Sequence, residues 1–201
     1  QHAFNYFLTE AEEAVGSRGV FLVALSGGHT PERFYRLLGT SQKARDLPWD
    51  RIHIFWADER AVPPSDPASN YLLAAETFLN RIPIPKENIH PAWGVAEDLQ
   101  QAARQYQQTI RNVFRLSAGE FPVFDLILLG MGADGHVASL LPNSPALLDT
   151  TELVSVVFQM EQDWSRLTLT APVICEARKI IVLVSGREKA SIVNKVFHEK
   201  P

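Results

Sequence analysis

Near-continuous apolar runs of strand length constrain this chain more than any other feature. Phe21-Leu22-Val23-Ala24-Leu25, Ile52-His53-Ile54-Phe55-Trp56, Phe124 to Leu129 and Lys179 to Val184 are rich in β-branched and aromatic residues. A strand with one wet face alternates in polarity; a strand that does not is covered on both faces. Between these runs lie segments of helical character, near Pro31 to Leu38, from about Ser69 to Asn80, from Ala96 to Phe114 and from Lys189 to Phe197. Leu153 to Phe158 and Arg166 to Thr170 read as further strands. Strands alternating with helices predict an α/β chain whose sheet is mostly parallel, with helices on both faces.

The expected architecture is Rossmann-like, and 201 residues suit a single domain spanning 1–201 with one sizeable core. Mean hydropathy is near zero, at −0.06. No apolar run reaches the roughly 18 residues that a membrane helix needs. A net charge of −4 offers no basic field for nucleic acid or an anionic membrane. The single cysteine, Cys175, excludes an internal disulfide framework or a cysteine-built metal site, and among apolar neighbours it reads as a half-buried thiol. Composition and the lack of a signal-peptide pattern predict a cytoplasmic protein. The chain begins at Gln1 without a methionine and stops at Pro201 soon after a helical stretch, so trimmed ends are expected.

In parallel sheets ligands bind beyond the carboxyl ends of the strands, and the informative motifs fall there. Ser26-Gly27-Gly28-His29-Thr30-Pro31 follows the first strand. Its glycines let backbone amides approach a ligand, Thr30 suits an N-cap and Pro31 a first helical position. Such a helix start is a natural phosphate cradle, although the same residues also serve a plain tight turn. Asp58-Glu59-Arg60 closes the second strand. Its charges could pair on the surface, or Arg60 could offer paired donors to substrate oxygens.

The third motif is the most specific. Gly130-Met131-Gly132-Ala133-Asp134-Gly135-His136-Val137-Ala138-Ser139 carries three glycines in six residues and presents Asp134 and His136. An imidazole titrates near neutral pH and can take a proton from water; a carboxylate two residues away can orient it. Arg166 and Lys189 are further candidate cations, and a bound phosphate would offset the unfavourable placing of Lys189 at a helix start. His2, His53, His90 and His198 have no metal-ligand spacing. Tyr106 and Phe114 read as core, and no G-x-S-x-G elbow is present.

Taken in order, LSGGHTP, Asp58-Glu59-Arg60, Ser69-Asn70-Tyr71, GMGADGHVASLLP, RLTLTAP and VSGREKA resemble 6-phosphogluconolactonases over nearly the whole length. That superfamily is shared with glucosamine-6-phosphate isomerase/deaminases. The resemblance implies that Gly27, Gly28 and Thr30 hold the substrate phosphate with Arg166 and Lys189. It implies His136 as general base, Asp134 as its support and Arg60 near the sugar-acid end. The implied reaction is hydrolysis of a small-molecule sugar-phosphate lactone, 6-phosphoglucono-δ-lactone, in the oxidative pentose phosphate pathway, with no cofactor or metal. His29 stands where the loop more often has a small polar residue, Val137 where threonine is usual, and the family's chain usually continues further.

Two rivals can be weighed. The deaminase branch resembles D-G-H-I-A-F-N-E-P, with a glutamate five residues after the histidine; here that position is Leu141, which cannot shuttle a proton. That branch also favours Asp-Glu-Tyr over Asp58-Glu59-Arg60. A non-catalytic sugar-phosphate sensor is disfavoured by the intact Asp134–His136 pair and the lack of an appended DNA-binding segment.

Overall fold

The computed structural model describes residues 1–93, 98–158 and 165–198. In chain order its elements are α1 (His2–Arg18), β1 (Phe21–Leu25), α2 (His29–Thr40), α3 (Gln42–Arg45), β2 (Ile52–Trp56), β3 (Asp58–Arg60) and α4 (Asn70–Thr77). There follow α5 (Leu99–Phe114), β4 (Leu126–Gly130), β5 (Val154–Val157), β6 (Arg166–Leu169), α6 (Ala171–Cys175), β7 (Ile180–Leu183) and α7 (Ala190–His198). The four near-continuous apolar runs form one parallel sheet in the order β2-β1-β4-β7. Phe21 pairs with Ile52 and Leu25 with Trp56, while Val23 pairs with Leu126 and Ile127 with Ile180.

Both faces of β1, β2 and β4 are covered, as the absence of alternation requires, whereas the edge strand β7 is only partly buried and leaves Ile180 exposed. Phe21 meets Phe7 of α1 edge-on at 5.4 Å, and Phe7 meets Phe34 of α2 at 5.6 Å. Phe55 lies opposite Ala24 in register and so faces the other way. It packs on Phe114 of α5 and on Phe124, at 5.6 and 5.4 Å. Helix α5 buries Ala102, Ala103, Tyr106 and Ile110, a stripe at helical spacing, and Asp98 caps it by accepting from the Gln101 N–H. Tyr106 is thus a core residue, and the half-buried Phe114 packs against the core. The expected start of this helix, Ala96, lies outside the described residues.

Three features differ from the sequence expectation. Helix α1 lies ahead of the first expected element, and it buries Phe4, Phe7, Leu8, Ala11 and Ala14, a stripe at helical spacing. The runs at 153–158 and 166–170 do not join the parallel sheet. They form β5 and β6 of an antiparallel sheet in the order β3-β6-β5. Its third strand is the Asp58-Glu59-Arg60 segment itself, which pairs with β6 instead of remaining an exposed loop. Cys175 is exposed, because α6 buries Val173 and Ile174 on its other side. No helix among the described residues is long and apolar enough to cross a membrane.

The outer edge of β2 is closed by residues 86–90. The His90 N–H donates to the Ile54 carbonyl at 2.8 Å, and the His53 Nδ1 and His90 Nε2 atoms stand 3.0 Å apart. Burial lowers both imidazoles from their ordinary value near 6.5, His90 down to about 4 with His53 adding to the effect. A base depressed in the folded state stabilises the fold above its unfolded pKa and withdraws that stability as pH falls through the folded value. The unfolding midpoint is therefore expected to fall between about pH 6.5 and 4, and His90→Phe should flatten that slope in a pH series of thermal melts.

Further along the same outer edge of β2, the buried Tyr106 hydroxyl donates to the Trp56 carbonyl and accepts from the Trp56 N–H, both at 2.8 Å. Tyr106→Phe leaves both backbone groups without that partner. Urea unfolding should show a loss of about 1–3 kcal/mol, as expected for an abandoned buried hydrogen-bonding group.

Candidate active site

A cleft of about 370 Å³ opens where β1, β2, β4 and β7 end, and residues from each of the following loops line it. From the β1 exit come Gly27, Gly28, His29 and Thr30; from β3, Asp58 and Arg60. The β4 exit gives Gly132 and His136, β6 gives Arg166, and the β7 exit gives Ser185, Glu188 and Lys189. Of the residues singled out from the sequence, Asp134 does not line the cleft. It stands behind His136.

The β1 exit turns two residues earlier than Thr30 would dictate. Gly28, with a φ of 88°, is the N-cap, so the helix begins at His29 and Thr30 and Pro31 lie in its first turn. The Thr30 hydroxyl instead faces the Ser185 hydroxyl at 3.3 Å, linking the exits of β1 and β7. The amide end of α2 still opens onto the cleft, with the partial positive charge of any helix start.

The β4 exit is a loop held in a fixed shape. The Gly132 N–H donates to the His136 carbonyl, and the Gly135 N–H to the Gly132 carbonyl. His136 Nδ1 lies 2.6 Å from Asp134 Oδ1, and the His136 N–H donates to the same oxygen at 3.2 Å. Partial burial works to raise the Asp134 carboxyl, but the bonds from the His136 backbone and ring hold it below the usual carboxylate range. An ionised carboxylate only accepts, so Nδ1 carries the hydrogen and a neutral ring presents Nε2 as a proton acceptor. Gly132 makes room for this pair, since a Cβ there would sit 2.3 Å from the imidazole.

Asp58 and Glu59 are 6% and 4% exposed, which rules out surface pairing. Glu59 turns away from the cleft and caps α4, accepting from the N–H groups of Asn70, Tyr71 and Arg60. Burial pushes its carboxyl up to about 7 against those bonds. Asp58 accepts from the Ser139 hydroxyl at 2.7 Å and faces Arg166 Nη1 at 3.8 Å.

Arg60 and Arg166 are direct cross-strand partners in the β3–β6 pairing. Burial lowers the Arg166 pKa; Asp58 counters this and Arg60 adds to it. Like charges facing each other across a ladder destabilise it. With Lys189 nearby, such a pair has the electrostatics of a site for an anion. Among the described residues no three His, Cys, Asp or Glu side chains are placed to hold a metal ion.

Asn70 and Ser139 carry no assigned role in the sequence reading. Asn70 lines the cleft from α4, and the fully buried Ser139 bonds Asp58, which lines it. Asn70 stands in the quoted Ser69-Asn70-Tyr71 block, but neither residue type signals chemistry without the neighbours that the fold supplies. Asp134→Asn is expected to abolish the preference for hydrogen on Nδ1 of His136, because an amide can donate as well as accept. Ring ¹⁵N chemical shifts would report it.

A family model for glucosamine-6-phosphate isomerases/6-phosphogluconolactonase matches residues 1–201. The 6-phosphogluconolactonase of a Synechocystis species is 42% identical over 189 residues, covering 94% of this chain and 76% of that protein. That of a Nostoc species is 39% identical over 195 residues, covering 97% of this chain and 79% of its own. Among solved structures, the 6-phosphogluconolactonase of Trypanosoma brucei superposes with a TM-score of 0.87 at 28% identity, covering 99% of this chain and 82% of that one. By full-length match and by likeness of sequence and backbone, the chain belongs to the glucosamine-6-phosphate isomerase/6-phosphogluconolactonase family.

Proposed function

We propose that this protein hydrolyses 6-phospho-D-glucono-1,5-lactone to 6-phosphogluconate, the lactonase step of the oxidative pentose phosphate pathway, with His136 as general base on water. The observation that carries this reading is an imidazole whose Nδ1 is engaged by Asp134, in one cleft with a helix start and three cations. The names of the relatives at 42% and 39% identity point the same way.

The chemistry follows from the geometry. The substrate phosphate sits against the α2 start at Gly27, Gly28 and Thr30, with Arg166 and Lys189 supplying counter-charge. This anchoring turns attack on the lactone carbonyl into a positioned reaction. Nε2 of His136 takes a proton from water as the water oxygen bonds to C1. The carbonyl electrons move to oxygen, where Arg60 stabilises the developing charge. Collapse of that tetrahedral species breaks the bond between C1 and the ring oxygen, and the imidazolium returns its proton to that oxygen. Asp134 keeps Nε2 as the basic nitrogen and stabilises the ring while it is charged.

Amino-sugar deamination is disfavoured by Leu141, whose alkyl side chain can neither give nor take a proton. The lactone opens spontaneously, so the assay must read acceleration above that background. His136→Asn is expected to lower the enzymic rate by about 10² to 10⁴ while the protein stays folded. Wild-type turnover in that variant would remove His136 from the base role. Lys189→Ala should weaken binding of the product 6-phosphogluconate, measured by calorimetry, and unchanged affinity would exclude it from the phosphate subsite.

A further inference from the structure

The carboxamide of Asn70 occupies a demanding position. The residue is 1% exposed, at the first turn of α4, where the Ser69 hydroxyl caps the helix and the Asn70 N–H is tied to Glu59. Its Nδ2 donates to the Asp58 carbonyl at 2.8 Å, so its Oδ1 must point the other way. There it accepts from Nη1 of Arg60 at 2.5 Å, and the same nitrogen donates to the Ala68 carbonyl at 2.8 Å. Both hydrogens of Nη1 are thereby used, and the guanidinium plane is set by two fixed oxygens.

The β1 exit must yield space for this. A Cβ on Gly27 would lie 1.6 Å from Asn70 Oδ1 and 2.1 Å from Cγ, which no adjustment of tenths of an ångström can relieve. Gly28 takes a φ of 88°, a conformation that favours glycine; no such φ occurs at Gly27. The two adjacent glycines thus answer different demands, Gly28 the backbone turn and Gly27 the approach of a side chain from α4.

We infer that Asn70 is the positioning residue for Arg60, and that residue 27 is glycine to admit Asn70 rather than to admit phosphate. The inference rests on the lactonase reading for its catalytic consequence and on packing for its steric one. Arg60 stabilises charge that develops during reaction, so a loosened guanidinium costs turnover more than substrate binding.

The test is a double-mutant cycle of wild type, Gly27→Ala, Asn70→Ala and the double variant, with kcat, KM and thermal unfolding midpoint measured for each. Asn70→Ala should lower kcat about tenfold or more and move KM by much less. Gly27→Ala should lower kcat to a similar level by expelling the carboxamide. The double variant should be no worse than either single one, since the added methyl then has room. Effects on kcat and midpoint that multiply independently would overturn the steric claim. A rise in KM with kcat intact would overturn the positioning claim. If Asn70→Ala does not fold, Asn70→Ser takes its place. If wild type shows no lactonase acceleration, the function reading fails, and non-additivity of the midpoints still decides whether Gly27 exists for Asn70.

Discussion

At Ala57 the chain leaves one sheet for another, and the site depends on that crossing. The Ala57 N–H donates to the Leu25 carbonyl in the parallel sheet, while its own carbonyl accepts from the Leu169 N–H in the antiparallel one. One fully buried residue therefore belongs to both hydrogen-bond ladders. A backbone group buried without a partner is costly, so the two sheets cannot separate here without loss. Residues 58–60 follow at once, with no loop between, and are delivered to the cleft by the same rigid backbone.

That rigidity holds charges that would otherwise disperse. Arg60 and Arg166 face each other across a ladder, with Asp58 the near counter-charge. The Asp58 carboxylate that faces Arg166 is also engaged by the Ser139 hydroxyl, while Arg60 bonds the Ala68 carbonyl and the Asn70 side chain. In a flexible loop such a pair would swing apart into water. Fixed in two strands, both guanidiniums are held at the wall of the cleft.

Ser139 carries the tie further. Its hydroxyl bonds Asp58 and its N–H bonds the Thr168 hydroxyl, so the loop bearing Asp134 and His136 is pinned to both β3 and β6. The proposed base and the proposed oxyanion donor are thereby referred to one frame. Asn70 extends that frame to α4, and the clearance at Gly27 extends it to the β1 exit. Of these five chain segments, the β4 exit loop, β3, β6 and α4 meet through a few buried polar contacts, and the β1 exit through close packing.

The sequence by itself determined the parallel sheet, because unbroken apolar runs such as Phe21 to Leu25 can only be stable with both faces covered. It also marked the strand exits, since the glycines, Asp134 and His136 are close in the chain and their relation is local. What lay beyond it was partnership at a distance. Nothing near Asp58-Glu59-Arg60 tells that it will pair with Arg166, so exposed charges were as good a reading as a buried strand. The exposed face of Cys175 and the role of Asn70 were hidden for the same reason. Local pattern reports how much surface a segment must bury, whereas the identity of the neighbour that buries it, and so the charge that neighbour brings, is decided only when distant segments pack.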